Sequence, residues 1–313
     1  MYRLLADILN DLGFVLDCLS PIFPKPIRVV VLSFSSVLRA LCGVAAGSAK
    51  ASLSAHFARW GNLGELNAKD SSQETVISLV GMLVGSLVVS WVTEPVATWT
   101  TLIFLLSIHL ETNRRAVRAV SMRTLNRQRA TLVYHHLQRG HVPTPEEISA
   151  QERIFEKSGV LRSFDDRVLG YCWLAAPMPR LLRTIASHSA SQRSSVVADS
   201  VLRDVIYAYE KRGYILWTQA RSNSTDVMVV VKKGAANTEV LISWWQALGM
   251  AAMEVRSKEK ILKGDSDFQL LKSSAQVAAD LLQTYRQELE EKGFDLNTNA
   301  LETSSASRIS VDR

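Results

Sequence analysis

The chain has 313 residues, of which 47% are hydrophobic and 21% charged, and a net charge of +6. That length has room for two domains, and the apolar balance excludes wholesale disorder, a collagen-like fibre and a coiled coil. Three scattered cysteines (Cys18, Cys42, Cys172) form no CxxC pair, so neither a disulfide framework nor a zinc site follows, and a reducing compartment is the default.

The first 20 residues carry Asp7, Asp11 and Asp17, which is wrong for a secretory signal and too acidic for a transit peptide. Leu4, Leu5, Ile8, Leu9, Leu12, Leu16 and Leu19 make a helical stripe instead, stopped by Pro21, Pro24 and Pro26. Residues 27–49 are apolar but contain Arg28 and Arg39. A charge at Arg39 predicts a buried helix, or one lining a polar cavity, with Asp70 or Glu74 as its partner. Residues 56–74 are the most polar stretch of this half. Ser71 and Glu74 have the spacing of a capping box, so a helix is expected to begin there. Its free N–H groups, with Lys69 beside them, would hold a phosphate or carboxylate. The candidate ligand set is therefore Lys69, Asp70, Ser71, Ser72, Gln73, Glu74 and Arg39. The competing reading is a polar connector that caps a helix at an interface.

Residues 75–93 are 19 in a row without a charge. As a helix they span about 28 Å, close to a ~30 Å hydrocarbon core. After Glu94-Pro95 a second uncharged run covers 96–110, and the two read as a membrane hairpin over 75–110. Gly81 and Gly85, like Gly43 and Gly47, have the small-residue spacing of packed membrane helices. Arg114, Arg115, Arg118, Arg123, Arg127 and Arg129 follow, six arginines in 16 residues, which places that end at a cytosolic membrane surface. The alternatives are a large soluble helical core and an RNA-binding helix. The run lacks the interleaved aromatics of a nucleic-acid platform, so no nucleic-acid partner is expected.

Residues 96–138 read as one long helix, broken at 140–143. Thr144 and Glu147 form a second capping box with Pro145 at the first helical position. Beyond lie a short strand over 167–174, a loop over 187–195, a helix over 196–211 and a hairpin from 214–219 and 227–232. A helix follows from Asn237 or Thr238 to Val255, then an amphipathic helix over 269–292 that ends at Gly293. The fold expected is mainly α: a helical membrane domain over 1–140, a small α+β cytosolic domain over 141–295 and a disordered tail over 296–313.

No catalytic or metal constellation is legible. There is no GxSxG elbow, P-loop or dinucleotide fingerprint. His56 and His109 read as packing residues, and His135, His136 and His141 lack the HExxH arrangement. Trp244 and Trp245 read as core.

The stretches LLADILND (4–11), GNLGELNAKDSSQET (61–75) and RRAVRAVSMRTLNRQR (114–129) resemble the root UVB-sensitive (RUS) family, whose domain is described as vitamin B6 photoprotection and homeostasis. The resemblance is strong over 3–155. It runs on more weakly over 171–295 through LAAPMPRLL, YILW, VMVVVKKG and EEKGF. Relatives carry an upstream segment absent here, so a shortened member is expected. Ala46 stands where relatives often have Gly, and Trp245 near where many have His. The resemblance implies a non-enzymatic integral membrane protein with a scaffold or transport-related role in vitamin B6 or small-molecule homeostasis. Plant members are linked to UV-B response, auxin transport and plastids. Membrane lipids and a paralogue or second copy are the partners implied. Two alternatives stand beside this: a binding protein for pyridoxal phosphate, with Lys69 holding the phosphate or forming a Schiff base, and an enzyme with its site between the halves.

Overall fold

A computed structural model describes residues 2–58, 61–153, 156–190, 195–221, 224–257, 265–303 and 307–310. The chain forms two compact units, Met1–Val120 and Ser121–Arg313.

The first unit is helical: α1 (Tyr2–Leu19), a 3-10 turn (Ser20–Ile22), α2 (Lys25–Phe57), α3 (Leu63–Trp91) and α4 (Pro95–Arg118). Proline sets the joints. Pro21 lies in the turn after α1, and α2 and α4 each open with a proline in the first turn, where no N–H is needed. α1 packs along α2, and Gly13 makes that approach close. Ser35 Oγ donates to the Gly13 carbonyl at 3.1 Å, and a Cβ on Gly13 would lie 3.4 Å from Arg39 Cγ. Elsewhere the unit covers little of its own apolar surface. α2 buries only Ser35, Leu38 and Ser54, and α3 and α4 bury none of their residues.

Two sequence expectations change here. α3 starts at Leu63, eight residues before Ser71, so Ser71 and Glu74 are helix interior and not a cap. Gly61 at φ +79° turns the chain into it, and the run from Leu63 has good helix formers and no proline. The long helix over 96–138 is two helices, α4 and α5 (Arg127–Leu137). Between them Thr124 bridges Asp295, and Asn126 caps α5 by accepting from the Arg129 N–H at 2.8 Å.

The second unit holds α5, α6 (Pro145–Gln151), β1 (Val160–Arg162), β2 (Val168–Leu174), α7 (Met178–Ala190), α8 (Ser195–Ala208), β3 (Tyr214–Ala220), β4 (Thr225–Lys232), α9 (Asn237–Ser257), α10 (Asp265–Glu291) and β5 (Arg308–Ile309). The Thr144–Glu147 capping box is present at α6. The sheet order is β1-β2-β4-β3, with β2 parallel to β4, β1 and β3 antiparallel to their neighbours, and β5 parallel to the end of β4. β4 is buried along nearly its whole length, as its valine run requires of a strand covered on both faces. Gly170 allows the β2–β4 pairing, because a Cβ there would lie 1.8 Å from the Thr225 carbonyl oxygen.

α9 is the centre of this core, with Trp244, Trp245, Leu248 and Met250 fully buried. Both tryptophans donate to α5: Trp244 Nε1 to Thr131 Oγ1 at 3.0 Å, and Trp245 Nε1 to the Ala130 carbonyl at 2.9 Å. Gln246 Nε2 donates to the Tyr209 hydroxyl at 2.8 Å and to the Leu271 carbonyl at 2.9 Å, while its oxygen accepts from Tyr214 at 2.7 Å. Two departures from expectation stand out. β1 and α7 were illegible, and the loop over 187–195 lies partly in α7, with 191–194 outside the described residues. The hairpin turn keeps its place, although Ser222 and Asn223 lie outside the described residues. The tail is not all loose: Leu301 is buried and β5 pairs with Val231 and Lys232.

Candidate functional site

The stretch from Lys69 to Glu74 sits on α3 with every residue exposed. Ser72 Oγ donates to the Lys69 carbonyl at 2.8 Å, and Thr75 Oγ1 to the Ser71 carbonyl at 2.9 Å. The N–H groups here belong to the helix ladder, so the expected cradle of free N–H donors does not exist. These residues therefore do not fit the phosphate of pyridoxal phosphate as a helix-start site, and Lys69 is exposed on α3. What the stretch does hold is α2. Lys50 Nζ lies 3.0 Å from Asp70 Oδ2 and 2.7 Å from Glu74 Oε2. Lys50 was missed in the sequence. The signal was a lone lysine late in an apolar helix, which calls for a carboxylate partner.

Asp70 and Glu74 are thus taken, and Arg39 pairs elsewhere. Its guanidinium forms an ion pair with Asp17 of α1 and lies over the Phe14 ring at 5.1 Å. α2 is not the buried helix that Arg39 suggested, since Val29, Val30, Phe34, Val37, Leu41 and Val44 are all exposed along it. A second carboxylate of α1, Asp11, is 5% exposed and lies 3.1 Å from His109 Nδ1 of α4. α1 therefore supplies the carboxylates that pair with Arg39 of α2 and His109 of α4.

The arginine run divides. On α4, Glu111 accepts from Arg114 at 2.7 and 2.8 Å and from Arg115 at 2.8 Å. Arg115, Arg118 and Arg123 are exposed and Arg114 is half-buried. Arg127 and Arg129 turn into the second unit and are not surface groups. Arg127 donates to the Leu301 carbonyl at 2.7 Å and to Ser158 Oγ at 2.6 Å. Arg129 donates to the Thr124 carbonyl at 2.7 Å and pairs with Glu152 at 2.9 Å, both side chains nearly buried.

The other singled-out groups have structural partners. His135 Nε2 lies 2.8 Å from the Arg162 carbonyl, and burial lowers its pKa. His141 lies 3.0 Å from Glu147. Burial pushes the Cys172 thiol up to about 12. Among the described residues no three His, Cys, Asp or Glu side chains gather as metal ligands.

Two helices among the described residues are long and apolar enough to cross a membrane, Lys25–Phe57 and Leu63–Trp91. The expected hairpin over 75–110 keeps its first limb in α3. α4 is not one of the two; its apolar run over 96–110 is interrupted by threonines and His109 and followed by Glu111, Arg114, Arg115 and Arg118.

The class so defined is a mainly helical protein with an outward-facing apolar unit and a small mixed-sheet unit. Residues 1–140 match the family described as the vitamin B6 photo-protection and homoeostasis domain. RUS family member 1 of Dictyostelium discoideum is 41% identical over 158 residues, which is 49% of this chain and 30% of that protein. Protein root UVB sensitive 3 of Arabidopsis thaliana is 30% identical over 269 residues, 85% of this chain and 58% of that protein. Protein root UVB sensitive 5 of Arabidopsis thaliana is 23% identical over 310 residues, 96% of this chain and 55% of that protein. The chain belongs to the root UVB-sensitive (RUS) family and carries its vitamin B6 homeostasis domain. It spans between 30% and 58% of the length of these three relatives. No solved structure matches it.

Proposed function

We propose that this chain is an integral membrane protein that serves vitamin B6 or small-molecule homeostasis as a scaffold or transport component, without catalysis of its own. The observation that carries the reading is α3. It has 17 uncharged residues over 75–91 and not one buried residue. Val76, Ile77, Leu79, Val80, Met82 and Leu83 are each more than half exposed. Apolar surface costs roughly 25 cal/mol per Å² to keep in water, so a helix bare on all sides needs a cover. The hydrocarbon of a bilayer is that cover for α2, α3 and the apolar first half of α4 over 96–110. Arg115 and Arg118, exposed after that run, then lie at anionic lipid headgroups on the cytosolic side. The vitamin B6 part of the reading comes from the family description alone.

Alkaline carbonate extraction of membranes from cells that express the tagged chain tests the location. Retention in the pellet, with release only by detergent, is expected. Release into the supernatant sinks the membrane reading. For the role, vesicles reconstituted with the protein are expected to show vitamer flux, or the detergent extract to yield a stable complex on mass spectrometry. Absence of both removes the transport and scaffold assignments.

A further inference from the structure

The β1–β2 hairpin of the second unit carries three aromatic rings, each faced by a cation. Along β2, Cys172 and Leu174 belong to the core, and Tyr171 and Trp173, which alternate with them, are half-buried on the other face of the sheet. α7 packs on that face over β3 and β4, where Thr184 Oγ1 meets Met228 Sδ at 3.2 Å. Lys157 Nζ lies 4.8 Å from the centre of the Tyr171 ring, and the Arg180 guanidinium 4.2 Å from that of Trp173. Phe164, in the hairpin turn and 48% exposed, has Arg139 over it at 3.0 Å. Such contacts occur about once in 70–80 residues, so three on one hairpin exceed what chance placement gives. The acids nearby are mostly spent. Glu156 and Asp166 pair with Arg162 and Arg153, and Asp226, the register partner of Tyr171, pairs with Arg221. Asp165 in the turn is the hairpin's remaining acid. Among the described residues Arg139, Lys157 and Arg180 have no carboxylate partner.

We propose that this hairpin is where the second unit docks on an anionic lipid surface. Phe164, Tyr171 and Trp173 sit at headgroup depth, where rings with an apolar body are favoured, and Arg139, Lys157 and Arg180 meet lipid phosphates. Each cation already rests on its ring, so little side-chain freedom is lost when it meets a phosphate. The residues that carry Lys157 and Arg180 stand about 7 Å apart along the strand, so both charges reach one patch of headgroups. A single strand of nucleic acid fits less well. It stacks its bases on free ring faces, and here those faces hold the protein's own cations. The inference goes beyond the membrane reading, which concerns the apolar helices of the first unit.

Lysine acetylation with a membrane-impermeant reagent tests it. The full chain is bound to vesicles of phosphatidylcholine alone or with phosphatidylserine added, and mass spectrometry reads each lysine. Lys157 is expected to label about fivefold more slowly on the anionic vesicles, with Lys211 and Lys292 unchanged and high salt restoring the rate. Arg139→Gln combined with Arg180→Gln breaks no ion pair among the described residues and is expected to abolish the difference. Lys211→Gln combined with Lys292→Gln removes as much charge elsewhere on the unit and is expected to keep it. Equal labelling of Lys157 on both vesicles overturns the proposal. So does an equal slowing at Lys211, or loss of the difference in the Lys211 and Lys292 variant, since either makes it an effect of net charge. Protection of Lys157 by single-stranded RNA on neutral vesicles would give the face to nucleic acid and overturn it as well. Carbonate extraction reports on the helices of the first unit and this comparison on lipid charge, so the two proposals fall separately.

Discussion

Burial decides what single residues do here, and Cys172 shows it most clearly. The side chain lies inside the core on β2, and burial holds its thiol pKa near 12, against an ordinary value of 9.0. The folded thiol stays protonated where an unfolded one ionises. Stability is therefore complete below about pH 9 and falls as pH rises from there toward 12. Cys18, by contrast, is exposed. Iodoacetamide at pH 8.5 is expected to label Cys18 in the folded protein and Cys172 only after denaturant is added. Peptide mapping reads both sites, and rapid labelling of Cys172 in the native chain would count against its placement. The partner of Arg39 belongs to the same scale. The sequence showed that a charge in an apolar helix needs a carboxylate, and Asp70 or Glu74 was the expected partner. Choosing Asp17 over Asp70 required knowing that α1 folds back onto α2 at Gly13, a contact between residues 22 apart.

Helix boundaries were legible where two local signals agreed and failed where one stood alone. Thr144 and Glu147 form a true capping box, and Pro143 and Pro145 confirm it by barring any helix from running through. Ser71 and Glu74 have the same spacing, but nothing before them stops a helix already begun at Leu63. The capping pattern alone is satisfied by many helix interiors, so the anion site built on it disappeared with the cap. The break between α4 and α5 shows the reverse. Asn126 is a good cap in a run with helical character on both sides, and the bridge from Thr124 to Asp295, 171 residues away, makes it one. Asn126→Ala removes the acceptor for the Arg129 N–H, and loss of a cap costs about 1 kcal/mol. The expected result is a midpoint lowered by roughly 2–4 °C in thermal denaturation followed by tryptophan fluorescence. An unchanged midpoint would mean that α5 is held by Trp244 and Trp245 alone.

At the scale of the whole chain, the two units divide their polar bookkeeping differently. The second has a closed core: Trp244, Trp245, Tyr209, Tyr214 and Gln246 are bonded to one another, to α5 and to backbone, and its strands pair on a sheet. The first leaves its apolar helices bare, and its ion pairs run both between helices and along α4. Composition had located that contrast near residue 140, because the arginine-rich stretch reads as a continuation of a membrane helix. Packing places it twenty residues earlier, since Arg127 and Arg129 reach into the second unit and the indoles of Trp244 and Trp245 donate to α5. The two boundaries make different predictions for a fragment. One that begins at Ser121 keeps α5, so both indole N–H groups stay bonded and the core stays closed; it is expected to purify without detergent and to melt cooperatively. One that begins at His141 strips α5 from α9. It leaves two buried donors without partners, each worth about 1–3 kcal/mol, and opens the apolar surface that Ala130, Val133 and Leu137 covered. Against a total stability of about 5–15 kcal/mol, that loss is enough to unfold it. Size-exclusion chromatography and circular dichroism of the two fragments decide the matter. A shorter fragment as stable as the longer would return residues 121–140 to the helical unit.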